Sequence, residues 1–204
     1  VTYISLTWNL FLAWVPWCMA LLAERAFRRR AGRLSLALLL FGGLWLLFLP
    51  NAPYIVTDFL HLQARPPIPL WFDVFLRFAF GWAGLFLGFS SLYTMLRLVS
   101  ARLGRIVGWL FTLGALGLSS FGIYLGRFLG WNSWDVVVDP RALAGDVLGR
   151  LVHPTAYPRT YAVSALATVV FTAVYLTLYA MAQMPRGEER TGDQGTRRQG
   201  SAKD

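Results

Sequence analysis

Asp58 and His61 stand three residues apart in the stretch Leu49-Pro-Asn-Ala-Pro-Tyr-Ile-Val-Thr-Asp-Phe-Leu-His-Leu62. On a helix, side chains at i and i+3 are neighbours. A carboxylate and an imidazole so placed could hold a metal ion or work as an acid–base pair. Asn51 and Tyr54 precede them at helical spacing, so all four fall within an arc of about 80° at roughly 100° per residue. Two ligands do not make a metal site, and Asp135 and His153 are the residues that would have to complete it in space. The candidate ligands are therefore Asp58, His61, Asp135 and His153, and the catalytic candidates are His61 as base and Asp58. The simpler reading is that Asp58 orients His61, or that both meet interfacial water. A haem held between His61 and His153 fits poorly, since neither histidine lies within an apolar run. No cofactor is expected.

Other polar residues extend the set. Asp73 and Arg77 stand at i and i+4, the favourable order for an ion pair. Tyr124, Arg127 and Trp131 share a helical face at i, i+3 and i+7, ahead of Asn132 and Asp135. Arg127 could bind a lipid phosphate bidentately, or it could pair with Asp58 or Asp135. The expected ligand-binding residues are thus Asn51, Tyr54, Asp58, His61, Asp73, Arg77, Tyr124, Arg127, Asn132 and Asp135. The chain has no GxSxG elbow, no HExxH and no phosphate-cradling Gly-Lys-Ser/Thr.

The elements that must position these groups are membrane spans. The chain is 56% hydrophobic and 14% charged, against about 25% charged in an ordinary soluble domain. Apolar runs approach the roughly 20 residues needed to cross a bilayer. The expected spans are Tyr3 to Ala23, Leu34 to Leu49, Leu70 to Val99, Ile106 to Leu125 and Tyr161 to Ala182, forming one domain over residues 1–184. The second run is short, so the stretch after Leu49, a helix capped by Asn51, must complete the crossing or lie along the interface. Gln63 to Pro69 reads as a stiff linker. The fourth helix is expected to continue toward Asp135, with Ala115/Ser119 and Gly122/Gly126 as small pairs for close packing. Asp139-Pro140 opens a short interfacial helix, and residues 185–204 read as a disordered cytoplasmic tail. The lone Cys18, inside the first span, is expected to be a buried, inert thiol. There is no sustained period-2 alternation and no internal repeat. The chain opens at Val1, so preceding residues are expected to be missing or the start codon to be unusual.

Net charge of +9 would point a soluble protein toward nucleic acid, but here the basic residues flank spans, and no nucleic-acid partner is expected. Arg25 to Arg33, Arg97 to Arg105 and the tail together hold 13 of the 19 Lys and Arg. By the positive-inside rule these face the cytoplasm. The first helix is then uncleaved with its N-terminus outside, the C-terminus is cytoplasmic, and the unusual polar residues gather on the outer side. The span centres lack the ionisable groups that a proton- or ion-driven carrier uses.

Trp8-Asn9-Leu-Phe-Leu-Ala-Trp14, Leu49 to Leu62, Trp71-Phe-Asp73 and Tyr124-Leu-Gly-Arg-Phe-Leu-Gly-Trp-Asn-Ser-Trp-Asp135 resemble the bacterial membrane family catalogued as domain of unknown function 1361. The resemblance runs from about Trp8 to Ala182. It implies a multi-span bacterial membrane protein and brings no activity or catalytic residues with it. The reading is an all-α membrane protein of five transmembrane helices in the bacterial inner membrane. Its polar pocket at the outer interface is expected to bind a membrane lipid headgroup or a segment of another membrane subunit. The alternatives are a membrane-embedded metal-dependent enzyme acting on an envelope lipid, and an accessory subunit whose polar residues only pair with one another.

Overall fold

Five stretches of the chain are helices long and apolar enough to span a membrane: Ile4–Arg29, Leu36–Phe59, Leu70–Leu103, Arg105–Leu129 and Pro158–Gln183. They belong to a computed structural model that describes residues 2–29, 35–61 and 69–184 and is all-helical over them. The expected linker before Pro69 and the tail 185–204 lie outside the described residues.

Helix α1 (Thr2–Arg29) outruns its apolar stretch. Ala23 to Arg29 are mostly good helix formers, and Glu24 pairs with Arg28 one turn on, at 2.7 Å. Helix α2 (Leu36–Phe48) starts at Ser35, whose Oγ accepts from the Leu38 amide at 3.2 Å, one of the donors that a helix start otherwise leaves unsatisfied. The chain does not leave the helical path at Pro50, where φ is −58° and ψ −28°. It runs on through the single turn α3 (Asn51–Tyr54) and a 3₁₀ helix, Ile55–His61, so this stretch completes the second span. Two expectations are corrected here. The N-cap position of α3 is Pro50, not Asn51. The backbone also tightens to about three residues per turn after Tyr54, so Asn51, Tyr54, Asp58 and His61 do not lie on one α-helical stripe.

Helix α4 (Leu70–Leu103) is central. Helix α1, the 51–61 segment and α5 (Arg105–Leu129) all pack on it, and α8 (Pro158–Gln183) packs on α5. In the core Trp45 is fully buried, its indole Nε1 donating to Ser91 Oγ at 3.0 Å and its ring stacked on Phe111. Ser91 Oγ donates in turn to the Gly88 carbonyl at 2.7 Å, so the polar atoms of this contact satisfy one another. Leu92, Leu96, Leu116, Phe171 and Tyr175 fill the space around it. The surface of the spans is apolar, as at Phe78 and Trp82 on α4 and Val169 and Val170 on α8. Cys18 is on that surface: it is exposed rather than buried, because α1 turns Ala13 and Ala20 inward instead.

Helix α5 ends earlier than expected. Gly130 takes φ +82°, and its amide donates to Gly126 O at 3.2 Å while that of Trp131 donates to Leu125 O at 3.2 Å. A left-handed residue at a helix end is where glycine costs least. Trp131 and Asn132 therefore sit in a loop, before the short α6 (Asp135–Val138) and α7 (Pro140–Val152). Asp139 caps α7 as expected, Oδ1 accepting from the Ala142 amide at 3.2 Å. At the far end of the bundle Arg28 and Arg97 line one crevice, about 30 Å along α4 from Arg77 at 1.5 Å per residue.

Candidate functional site

Pro50 and Pro53 have no amide hydrogen, so the backbone ladder is interrupted around them, and a chain that runs through a bilayer must satisfy its carbonyls by other donors. Ala52 N donates to Leu49 O at 3.2 Å, and side chains bond the two carbonyls before it. Ser133 Oγ donates to Leu47 O at 3.1 Å, and Asn51 Nδ2 donates to Phe48 O at 3.1 Å and to Ser133 Oγ at 2.9 Å. Asn51 thus ties the proline break to the loop after α5. Glycines let the neighbouring helices close on the same segment. A methyl at Gly84 would lie 2.6 Å from Ala52 O, one at Gly88 2.9 Å from Ala52 Cβ, and one at Gly122 2.8 Å from Pro50 Cγ. Only bare backbone fits there.

Held this way, the segment presents Tyr54, Thr57 and Asp58 to Arg127 in the last turn of α5. Arg127 Nη2 donates to Asp58 Oδ1 at 2.5 Å, and Nε donates to Thr57 Oγ1 at 2.8 Å. Thr57 Oγ1 donates to Tyr54 O at 2.6 Å, and the guanidinium carbon lies 4.5 Å from the centre of the Tyr54 ring. The second carboxylate oxygen, Asp58 Oδ2, accepts from Asn9 Nδ2 of α1 at 3.3 Å. From the other side, Arg77 of α4 donates through Nη1 to the Asp58 carbonyl. The side chains of Arg127 and Asp58 are only 7% and 12% exposed. Breaking a buried pair by removing one partner typically costs about 3–5 kcal/mol, since it strands the other charge. This pair therefore fastens α1, the 51–61 segment and α5 together.

Beside the pair lies a cleft of about 630 Å³. Its lining includes Asn9, Asn51, Tyr54, Asp58 and Arg127 together with Leu12, Leu46, Leu118, Phe121 and Leu125, and along α5 it passes from the charged Arg127 to the apolar Leu118. Trp8, Trp131 and Trp134 are on its walls, and Leu143 and Val147 of α7 cover it. From Arg127 back to Leu118 the cleft follows α5 for about 14 Å. Leu118 is 58% exposed, so the apolar end opens sideways on the helix surface.

Helix α7 is held by a separate network. Trp131 Nε1 donates to Asp146 Oδ2 at 2.7 Å, and Arg150 Nη1 donates to Asp146 Oδ1 at 3.0 Å. The Arg150 guanidinium lies over the Tyr157 ring at 4.8 Å, and Tyr161 donates its hydroxyl to Arg150 O at 2.7 Å. The hydrogen bond from Trp131, and after it that from Arg150, hold the Asp146 carboxyl below the usual carboxylate range.

Five of the residues singled out in the sequence, Asn51, Tyr54, Asp58, Arg127 and Asn132, line the cleft. Asp135 is next to it, its Oδ2 accepting from the Asn132 amide at 2.7 Å. Three lie elsewhere. Asp73 and Arg77 are buried on α4, where Arg77 donates to the Asp58 carbonyl. Tyr124 is buried against Phe128, with ring centres 4.9 Å apart. The side chain of His61 lies outside the described residues. His153 is exposed at the end of α7. Among the described residues no three of His, Cys, Asp and Glu come together as metal ligands; Asp135 bonds to Asn132, and Asp58 to Arg127 and Asn9. Asn9, Thr57 and Ser133 were not foreseen as site residues. For Asn9 a signal existed: a carboxamide inside a charge-free apolar run requires a partner.

The family described as "Protein of unknown function (DUF1361)" matches residues 8–181, and the chain belongs to it. No curated protein and no solved structure matches the chain. What is established is thus a membrane-span-bearing member of a family without an assigned activity.

Proposed function

We propose that this is a lipid-binding protein of the bacterial inner membrane, with the Asp58–Arg127 end of the bundle facing outward. The cleft would take an amphiphile, its head at the Asn9–Asn51–Arg127 end and its chain along Leu46, Leu118 and Phe121. The carrying observation is a cleft whose lining runs along α5 from the charged Arg127 to the apolar Leu118, itself exposed on the helix surface. A water-soluble ligand would gain little from 14 Å of apolar wall, whereas an acyl chain gains on the order of 0.8 kcal/mol per buried methylene when it leaves water. The orientation rests on the basic residues at the opposite end, Arg25, Arg28 and Arg29 on α1 with Arg97 and Arg102 on α4.

The test fills the cleft without touching its polar end. Leu118→Trp and Val147→Trp add bulk at positions that are not buried. Lipid co-purified with the full chain is then measured by mass spectrometry. Loss of a stoichiometric lipid in both variants is expected, and equal lipid in wild type and variants would reject the reading. A protein co-purifying with wild type and lost from both variants would instead make the cleft a partner's seat.

A second reading has its own observation. Asp58, Arg127, Thr57 and Asn9 satisfy one another, as an accessory subunit with a purely structural polar network would. That network and an occupied cleft are compatible, because the pair forms only one end of the wall.

A further inference from the structure

The groups at the polar end also restrict which head the cleft accepts, an inference that rests on the lipid reading above. Among the described residues lining the cleft, Asp58 and Arg127 are the charged ones, one of each sign and in direct contact at 2.5 Å. Within the lining their charges cancel, and Arg77, which donates to the Asp58 carbonyl from behind, is buried and does not line the cleft. A phosphate drawn to Arg127 would meet the Asp58 carboxylate at nearly the same distance, so attraction and repulsion nearly offset. Two of the three guanidinium nitrogens are also already engaged, by Thr57 and Asp58. The described arginines of the loop side, Arg141, Arg150 and Arg159, do not line the cleft. Arg150 is turned to Asp146 and Tyr157, and Arg159 lies over the Phe128 ring at 4.8 Å.

What faces the head is uncharged and hydrogen-bonding. Asn9 and Asn51 use their Nδ2 atoms for the contacts described, and neither contact engages the carboxamide oxygen. Trp8 and Trp134, 52% and 39% exposed, also line the cleft, and each indole carries one N–H donor. Indoles combine an apolar face with one polar atom and suit an interface between hydrocarbon and water.

We infer that the cleft selects a lipid with an uncharged, hydroxyl-bearing head, of the glycosyl diacylglycerol kind, over phospholipids with an anionic head. Acceptor oxygens on Asn9 and Asn51 meet hydroxyl donors, the indole donors meet hydroxyl oxygens, and the Asp58–Arg127 pair stays intact. Burying an unbalanced phosphate charge here would carry a desolvation cost that a neutral head avoids.

The experiment titrates the purified full chain with three lipids of matched acyl chains: monoglucosyl diacylglycerol, phosphatidylglycerol and phosphatidylethanolamine. Binding is followed by native mass spectrometry, and Leu118→Trp serves as the background for lipid bound outside the cleft. The expected result is cleft-dependent binding of the glucosyl lipid at least tenfold tighter than that of phosphatidylglycerol, with phosphatidylethanolamine between them. Asp58→Asn keeps the shape but leaves Arg127 uncompensated, and it should raise phosphatidylglycerol binding at least tenfold toward or past the glucosyl lipid. Cleft-dependent binding of phosphatidylglycerol equal to or tighter than that of the glucosyl lipid in wild type would overturn the head-group inference and leave the lipid-binding reading standing. Binding of all three unchanged by Leu118→Trp would overturn both.

Discussion

The two sides of the segment from Pro50 to Asp58 are built in opposite ways. Toward α4 it is seated on Gly84 and Gly88 so closely that a single methyl would collide with Ala52. Away from α4, beyond the contacts of Pro50 with Gly122 and of Ala52 and Ile55 with α1, it borders a cleft of about 630 Å³ lined also by α5 and α7. The α4 face is set by glycine and backbone contact, and the face bordering the cleft is fastened by Asn9, Asp58 and Arg127. Helices in a bilayer gain little from the hydrophobic effect and depend on packing and polar contacts. The tight face therefore anchors the segment, and the face bordering the cleft is free to serve a ligand.

The comparison breaks most severely at the pair. Arg127→Ala should destabilise the protein by about 3–5 kcal/mol, leaving Asp58 buried without a countercharge. The double variant Arg127→Met/Asp58→Leu should recover at least half of that loss, read from thermal midpoints in detergent. A double variant no better than the single one would mean that the pair does not act as a unit. On the tight face, Gly84→Ala should cost about 1–3 kcal/mol through overpacking, because the obstructing atom is backbone and cannot swing away. Gly114→Ala, with nothing within 4 Å of the added methyl, is the control and should stay within about 0.5 kcal/mol. Similar losses at the two glycines would show that close seating is not what Gly84 provides.

The smallest effects lie over the cleft. Trp131 and Arg150 lower the Asp146 carboxyl below its ordinary value, so the charged form is favoured in the folded state. That contribution is complete above the ordinary carboxylate pKa of about 4 and is lost as pH falls through the lowered value. The gap in thermal midpoint between wild type and Asp146→Asn should thus be constant from pH 7 to about 5 and close at lower pH. It should correspond to less than about 1 kcal/mol, because the carboxylate is partly solvated. A gap that persists unchanged below the lowered value would show that the charged carboxylate is not what secures α7.

Leu118→Trp completes the series on the open face. At a 58% exposed position it should change stability by less than about 0.5 kcal/mol while displacing bound lipid. A stability loss as large as that of Gly84→Ala would mean that this wall, too, is closely packed.

Most of the architecture was legible along the chain. Runs without charge over bilayer length, interrupted by arginines, read as spans because hydrocarbon excludes charge whatever the tertiary arrangement. Asp139-Pro140 also read correctly, since a cap is a contact between near neighbours. Errors arose where distant groups decided the outcome. Asn51 looked like a cap because Asn often is one, but the chain is already helical at Pro50, so no helix starts at Asn51, and its Nδ2 donates instead to Phe48 O and to Ser133, 82 residues away. Arg127 could have met Asp58 or Asp135, and it was the ending of α5 at Gly130 that sent Asp135 to Asn132 and left Arg127 facing the 3₁₀ helix.

By itself, then, the sequence determined the all-helical class, the five spans and the concentration of polar groups near Pro50 and Arg127, because hydropathy and helix periodicity are local properties of the chain. Only the tertiary structure decided that Asp58 and Arg127 neutralise each other, that Asn9 and Thr57 join them, and that a cleft lies alongside. Those outcomes depend on which glycine faces which backbone across helices tens of residues apart, and no spacing within a single helix encodes that.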